Sequence, residues 1–365
     1  TWLSDAVLLM PDTLPGSDFD EHGLCSWCRS SYPAYTIRGE QRLKAKFKGL
    51  GKHSGRADCV VGLSGGKDST YALYRLVRHY GLKAEAFIYL HDGSRDFAIR
   101  NAERTCEKLN VPLHRVSLPD HGHQNSFLAY FKAWLDHPEA IAANLTCVAC
   151  KHLHIMGSQI AVKAQAPYIV WSSTPLEYSP FLALKHKGDS VHQYKREGTV
   201  QGAVKLCTQM LKSPSLAKSL LSFPRLSILG CAAVFPSSKY LRYRFPDLIP
   251  LMFYSYERWD PELILTTIRT ELDWQSPPDT AEDWHTDCLF NVFKEYMFQK
   301  MYGVSYTDAH LSNQIRHGYI SREQALGKLR ESKLHYAAAL EPALKELGAE
   351  ELIGRIDPEC FKLEI

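Results

Sequence analysis

Between residues 57 and 175, short apolar runs alternate with stretches whose apolar positions recur at helical spacing. Asp58 to Leu63, Ala84 to Leu90, Leu113 to Leu118 and Tyr168 to Ser172 are compact runs that read as buried strands. Between them, Tyr71, Leu73, Leu76 and Val77 give one apolar face to a helix over 68–79, and further helices are predicted over 95–109, 126–135 and 150–164. Strands that alternate with helices are joined by right-handed crossovers and form a parallel sheet. The predicted fold is therefore α/β, a doubly wound parallel sheet. After Pro180 the alternation fades. Residues 180–225 are mostly polar, whereas 261–270, 288–301 and 321–348 have helical spacing. Three regions are expected: an irregular N-terminal segment over 1–56, an α/β domain over 57–180 and a mainly helical region over 181–365.

The composition narrows the class without naming it. The chain has 365 residues, enough for two domains, with 45% hydrophobic and 23% charged residues and a net charge of +3. That balance, with no long basic run, argues against a nucleic-acid partner and leaves room for an anionic small molecule. No run approaches the roughly 20 apolar residues of a membrane span. The most apolar stretch, Leu226 to Phe235, is too short and reads as a buried strand or helix. No secretory signal is recognisable, so a cytoplasmic protein with no membrane partner is expected.

The chemistry is concentrated in Ser64-Gly65-Gly66-Lys67-Asp68-Ser69. The segment leaves the first strand at its carboxyl end, where ligands bind in parallel sheets. Two glycines admit positive φ and keep side chains out of the way of backbone N–H groups. The helix that follows aims its first-turn amides and its dipole at the same point. Ser64 and Ser69 add hydroxyls, and Lys67 adds a cation. Asp68 is an odd neighbour for phosphate unless a divalent cation lies between them, so pyrophosphate with Mg²⁺ is expected. The spacing is neither that of a Walker A loop nor that of a G-x-G-x-x-G dinucleotide loop. A bare strand–helix turn with capping serines would need neither Lys67 nor Asp68.

S-G-G-x-D-S after the first strand resembles the signature of the PP-loop, or N-type, ATP pyrophosphatases. The resemblance implies an adenine nucleotide alpha-hydrolase-like sheet. It also implies ATP bound at Ser64 to Ser69, attack of a substrate oxygen on the α-phosphorus and release of pyrophosphate. Lys67 and Asp68 would serve catalysis, and the adenine would sit near Tyr89, Leu90, His91 and Asp92 at the end of the second strand.

Ten cysteines include two C-x-x-C pairs, Cys25/Cys28 and Cys147/Cys150. In a reducing compartment this spacing favours metal or sulfur chemistry over cross-links, and four thiolates suit tetrahedral Zn²⁺. Alternatively, Cys147 and Cys150 are catalytic, carrying a persulfide or, with a third cysteine, an iron–sulfur cluster. Cys106, between Arg104 and Lys108, is a candidate reactive thiol or a core residue. His285, Asp287 and Cys288 form a candidate substrate or metal site, or else the start of a capped helix.

Further islands resemble the N-acetyl sugar amidotransferases of surface-polysaccharide biosynthesis. They are Met10 to Gly16, Phe19 to Cys25, Ser64 to Tyr71, Cys147-x-x-Cys150, Ala161 to Lys163 with Pro167 to Trp171, and Ile315 to Ala325. The resemblance implies that the adenylated oxygen of an anionic acceptor, such as a nucleotide-linked sugar, is replaced by ammonia from a separate glutaminase or from solution. Family members carry a further C-x-x-C before the Met-Pro segment, where this chain has Asp5 and Leu8. A zinc site would then be rebuilt with Cys147 and Cys150, or lost. The departure also keeps open a sulfur transferase that works with a sulfur donor protein. Arg316 and Arg322 in the last island are candidates for an anionic substrate, or exposed helix arginines.

Overall fold

The structure, a computed structural model, describes residues 21–22, 37–50, 56–177, 206–278 and 285–362. Its frame is a five-stranded parallel sheet of β1 (Cys59–Gly62), β2 (Ala84–Leu90), β3 (Leu113–Ser117), β4 (Tyr168–Trp171) and β5 (Ile249–Met252), in the order β3-β2-β1-β4-β5. Cys59 of β1 lies beside Ala84 on one side and Tyr168 on the other. The chain thus winds outward from β1 to β3 and returns to β4 and β5, and the reversal falls between β1 and β4. This is the doubly wound α/β sheet that the alternation predicts.

Period-two alternation assigns each face of the strands a helix layer. Cys59, Val61, Ala84, Ala86, Ile88 and Val170 pack with α2 (Lys67–Tyr74) and α3 (Asp96–Leu109). The same cluster takes in α1 (Glu40–Phe47) through Leu43 and Phe47. Val60, Phe87, Ile169 and Trp171 face the other way, onto Ile160 and Ala161 of α6 (His152–Lys163). The packing there leaves no slack, since a Cβ on Gly157 would lie 2.4 Å from Phe87 Cζ. A third core joins α4 (Gly122–Asp136) and α5 (Ala140–Leu145) to the helices of the C-terminal part.

That part runs through α7 (Pro214–Ser222), α8 (Pro224–Ala232), α9 (Lys239–Arg244), α10 (Pro261–Leu272), α11 (Phe290–Tyr302), α12 (Tyr306–Arg316) and α13 (Arg322–Glu346). Its helix ends follow capping chemistry. Asp260 caps α10 before Pro261, and capping boxes Ser305/Asp308 and Ser321/Gln324 open α12 and α13. The Ile315–Ala325 island is thus a helix–turn–helix junction, with Gly318 at φ 72° between the two helices. Arg316 is exposed and bonds Asn313 of its own helix.

The structure adds helices that the spacing did not predict, among them α5, α7, α9 and α12, and it departs in two further ways. The helical region contributes the edge strand β5: Ile-Pro-Leu-Met is too short and too interrupted by Pro250 to show a strand pattern, and Pro is tolerated at an edge. The helix after the loop also ends as a π-helical turn, Arg75–His79. Cys25 and Cys28, the rest of residues 1–36 apart from 21–22, and residues 180–205 of the polar stretch lie outside the described residues.

Candidate active site

The Gly-rich loop sits at the carboxyl end of β1, beside the reversal in strand order, where open parallel sheets bind ligands. Gly65 has φ 82°, and a Cβ there would lie 1.9 Å from the carbonyl oxygen of Ala98 on α3. Glycine is needed at this point both for its backbone angle and for the close approach. The serines shape the rest of the turn. Ser69 Oγ accepts from Ser64 N–H at 3.2 Å and donates to the Gly66 carbonyl at 3.2 Å, while Gly66 N–H donates to Ser64 Oγ at 3.3 Å. The first turn of α2 then opens at Lys67, with its N-terminal amides at the sheet's edge.

Side chains from the C-terminal half hold this loop. Trp274 Nε1 donates to the Gly65 carbonyl at 2.9 Å, and Tyr254 OH donates to the Asp68 carbonyl at 3.1 Å. Trp259 Nε1 donates to Asp68 Oδ1 at 2.7 Å. Lys67 is buried at 2% exposure, its Nζ 3.6 Å from Asp68 Oδ2 and 5.9 Å from the centre of the Trp259 ring. The segment over 285–289 lies along the turn after β2: Leu289 N–H donates to the Gly93 carbonyl at 2.8 Å, and Arg95 N–H donates to Asp287 O at 3.2 Å. That pairing brings Asp287 to the loop, where Ser64 hydrogen-bonds its carboxylate.

Glu177, Asp287, His285 and His310 surround the same point. Burial, and then the charge of Asp68, pushes the Glu177 carboxyl up to about 8, while Lys67 opposes the shift. Burial likewise raises Asp287, against the pull of Ser64 and Lys67. Burial lowers His285 to about 3, with the cations Lys294, Lys67 and Lys151 acting in the same direction. His310, also buried and facing Lys67, is lowered to about 3. Glu177, His285 and Asp287 keep part of their surface open to solvent although lost hydration dominates their ionisation, as expected of groups lining a recess. Asn313 Nδ2 donates to the Leu176 carbonyl at 2.7 Å and so fixes the turn that carries Glu177.

A second group adjoins the recess. Cys150 and Cys288 are both raised by burial; Cys147 acts on each of them, and Cys150 acts on Cys288. Tyr89 OH donates to the Ala149 carbonyl at 3.3 Å, and its phenol is raised by burial and by the nearby Cys150. His91 and His123 stand 4.3 Å apart and both stack on Phe290, at 5.3 and 5.0 Å. Burial lowers His91 to about 4. The His91-Asp92 turn, expected beside adenine, is closed on itself: Gly93 N–H donates to His91 Nδ1 at 3.1 Å, and Asp92 pairs with His121. Leu90 packs against the sheet core.

The structure therefore unites Ser64 to Ser69 with His285 and Asp287, and places Cys147, Cys150 and Cys288 next to them. Cys106 takes the second of its two expected places: it is 4% exposed in the core under α3, and burial pushes its thiol up to about 12. Among the described residues no group of His, Cys, Asp and Glu is arranged to hold a metal ion by itself. Glu177, Trp259, Trp274 and His310 were not expected. Only Glu177 carried a signal, as a carboxylate shortly after the strand next to β1.

The strand order, the loop at the reversal and the helix that begins inside it define the class: an open, doubly wound parallel sheet with an anion-binding turn where the strand order reverses. More particularly, residues 274–352 match the family model described as LPS biosynthesis protein WbpG-like, C-terminal domain. Trp274, His285, Asp287, Cys288, His310 and Asn313, all at or beside the recess, fall within the matched segment. Similar solved structures include NMN synthetase from Francisella tularensis, at 14% identity and TM-score 0.36, covering 89% of this chain and 97% of that chain. Another is the NH3-dependent NAD synthetase from Campylobacter jejuni subsp. jejuni NCTC 11168 in complex with the nitrate ion, at 16% identity and TM-score 0.28, covering 53% of this chain and 89% of that chain. No curated protein matches the chain by sequence.

Proposed function

We propose that this chain is a cytoplasmic synthetase that cleaves ATP to AMP and pyrophosphate, adenylates an oxygen of an anionic acceptor and lets ammonia replace it. The observation that carries the reading is the convergence of the Gly-rich loop, Lys67 and the carboxylates Asp68, Glu177 and Asp287 on one recess. Three carboxyl groups around one lysine are an unfavourable set unless a cation joins them. Asp68 and Glu177 suit Mg²⁺ carried in by a triphosphate, since Mg²⁺ needs only one or two protein carboxylates beside phosphate oxygens. The metal would supply charge neutralisation. The chain itself positions the reactants: the α2 amides and the Ser64 and Ser69 hydroxyls grip the β- and γ-phosphates, and Lys67 offsets their charge.

The acceptor oxygen attacks the α-phosphorus, its bond to phosphorus forms and pyrophosphate leaves. Ammonia then adds at the activated carbon and AMP departs with the oxygen. The match to a lipopolysaccharide family model supports a nucleotide-linked sugar as the acceptor class, with nitrogen from a separate glutaminase or from solution. A second reading rests on the three thiols Cys147, Cys150 and Cys288 beside the recess. In it a sulfur donor protein or sulfide delivers the incoming atom. Zinc held by Cys25, Cys28, Cys147 and Cys150 belongs to the first reading, as a structural tie.

The test incubates the protein with ATP, Mg²⁺, a panel of nucleotide-linked sugars and either ammonium or sulfide. Pyrophosphate that appears only with acceptor, and a product in which one oxygen has become nitrogen, is the expected outcome. A sulfur-bearing product favours the second reading. Hydrolysis to ADP and orthophosphate refutes both.

A further inference from the structure

We propose that the surface built by residues 206–246 docks on an anionic lipid bilayer, with single apolar side chains entering the headgroup layer among lysines and arginines. The segment has no Asp or Glu, and its charged residues are Lys212, Lys218, Arg225, Lys239, Arg242 and Arg244. All six are exposed, and none makes an ion pair among the described residues. Large apolar residues stand out between them: Leu211 is 86% exposed, Leu221 74%, Ile228 59%, Phe235 39% and Tyr243 75%.

Local structure explains why these side chains point outward. On α7, Lys218 and Leu221 are exposed while Leu216 and Ser219 are buried; on α8, Arg225 and Ile228 are exposed while Ser227 and Gly230 are buried. Each helix buries one stripe and gives cations and an apolar tip to the other. The buried stripe is well fixed: a Cβ on Gly230 would lie 2.3 Å from the Val148 carbonyl, and His152 and His154 meet the carbonyls of Leu226 and Ala233 at 2.9 and 2.6 Å. The outward stripe is thus part of a rigid scaffold.

Charge selects the occupant. A second copy of the chain would bring the same cations to the contact. The chain's own residues 178–205 carry five Lys or Arg (Lys185, Lys187, Lys195, Arg196, Lys205) against Asp189 and Glu197, so they repel the surface as well. An acidic polypeptide could satisfy the cations, but isolated apolar tips spread over several helices offer it no continuous seam. A bilayer satisfies both, because phosphate headgroups meet the cations wherever they stand and each apolar tip inserts on its own. The inference is independent of the catalytic reading. It is also compatible with the finding that no described helix is long and apolar enough to cross a membrane.

The test sediments the full chain with phosphatidylcholine vesicles, with and without phosphatidylglycerol, at low and high salt. Binding to the anionic vesicles alone, weakened by salt, is expected. Lys212→Gln with Arg225→Gln and Arg242→Gln should lower partitioning by about 100-fold, at about fivefold per lost cation. Leu221→Ser with Ile228→Ser should lower it by about tenfold. Both sets change exposed residues, and circular dichroism checks that each variant is folded. Failure of the wild type to bind anionic vesicles, equal binding to neutral ones, or retention of binding by either variant overturns the proposal. So does complete displacement by polyglutamate with no effect of the apolar pair, which would mark the surface as one for an acidic polypeptide.

Discussion

Replacing Gly65 and Gly66 one at a time by alanine separates the architectural and the ligand-binding demands on the loop. At Gly65 the new methyl group would lie 1.9 Å from the Ala98 carbonyl oxygen and 2.6 Å from its carbon, with φ at 82°. The backbone angle costs about 1–2 kcal/mol for a residue with a Cβ. Pushing α3 off the loop adds about 1–3 kcal/mol of overpacking. The sum, about 2–5 kcal/mol, corresponds to a fall in Tm of roughly 3–6 °C for a cooperative chain of 365 residues, from about 2.1 cal/mol/K of unfolding entropy per residue. At Gly66 a Cβ meets only Ser64 Oγ at 3.3 Å, and φ is −70°, so stability should change by less than about 0.5 kcal/mol. If this face of the turn approaches phosphate, Gly66→Ala should still raise the KM for ATP about tenfold or more. Calorimetry of both variants, with pyrophosphate release, is the assay. A Gly65→Ala protein as stable as wild type would refute the geometry, and a Gly66→Ala protein with unchanged ATP dependence would refute the phosphate site.

Three further outcomes are expected. Glu177 is raised from 4.5 to about 8, so between those values the folded state keeps a proton that the unfolded chain has lost, and stability falls as pH rises through the window. Glu177→Gln should therefore gain on the order of 2 kcal/mol over wild type at pH 8 and almost none near pH 4.5 in denaturant melts, while losing about 100-fold or more in Mg²⁺-dependent pyrophosphate release. Burial lowers His154 and His310 to about 3 and the half-buried His91 to about 4. Each favours the fold while neutral and withdraws that support as pH falls from the usual histidine range toward its lowered value. Acid melts should thus show uptake of more than one proton per molecule below about pH 6.5. Cys106→Ala should keep kcat and KM unchanged and cost about 1 kcal/mol through the cavity it leaves, and equal losses of activity and stability would put Cys106 back in the site.

The parts of the fold legible in the sequence were those encoded locally. β2 runs over Ala84–Leu90 as its apolar run indicates, and the loop is visible because Gly, Lys, Asp and Ser fall together between a strand and a helix. His285, Asp287 and Cys288 could be marked as candidates by residue type, but not joined to Ser64. That junction depends on the backbone pairing of 287–289 with 93–95, which no local pattern encodes. Trp259 and Trp274 were silent for the same reason. They read as ordinary core aromatics, and their indole N–H groups find Asp68 and Gly65 only across sequence separations of 191 and 209 residues. β5 was hidden by brevity and by Pro250, with only Leu251 of its four residues buried.

These long-range contacts bear on how the two halves of the chain divide the work. The Gly-rich turn is closed by bonds among its own serines and glycines and is then held from the C-terminal half by Trp274 and Tyr254. What the later helices add is its electrostatic setting. Trp259 engages one oxygen of Asp68 and Lys67 lies near the other, while Asp287 receives the Ser64 hydroxyl. The loop alone would offer amides to any anion. With Glu177 holding its proton, Asp287 raised beside it and Asp68 set against Lys67, the recess offers a bare phosphate little net positive charge, and an anion that arrives with its own cation is better received. Selection of a metal-bound triphosphate over free phosphate would then rest on Glu177, Trp259 and Asp287 as much as on the motif, and of these three Asp287 lies in the segment that matches the family model.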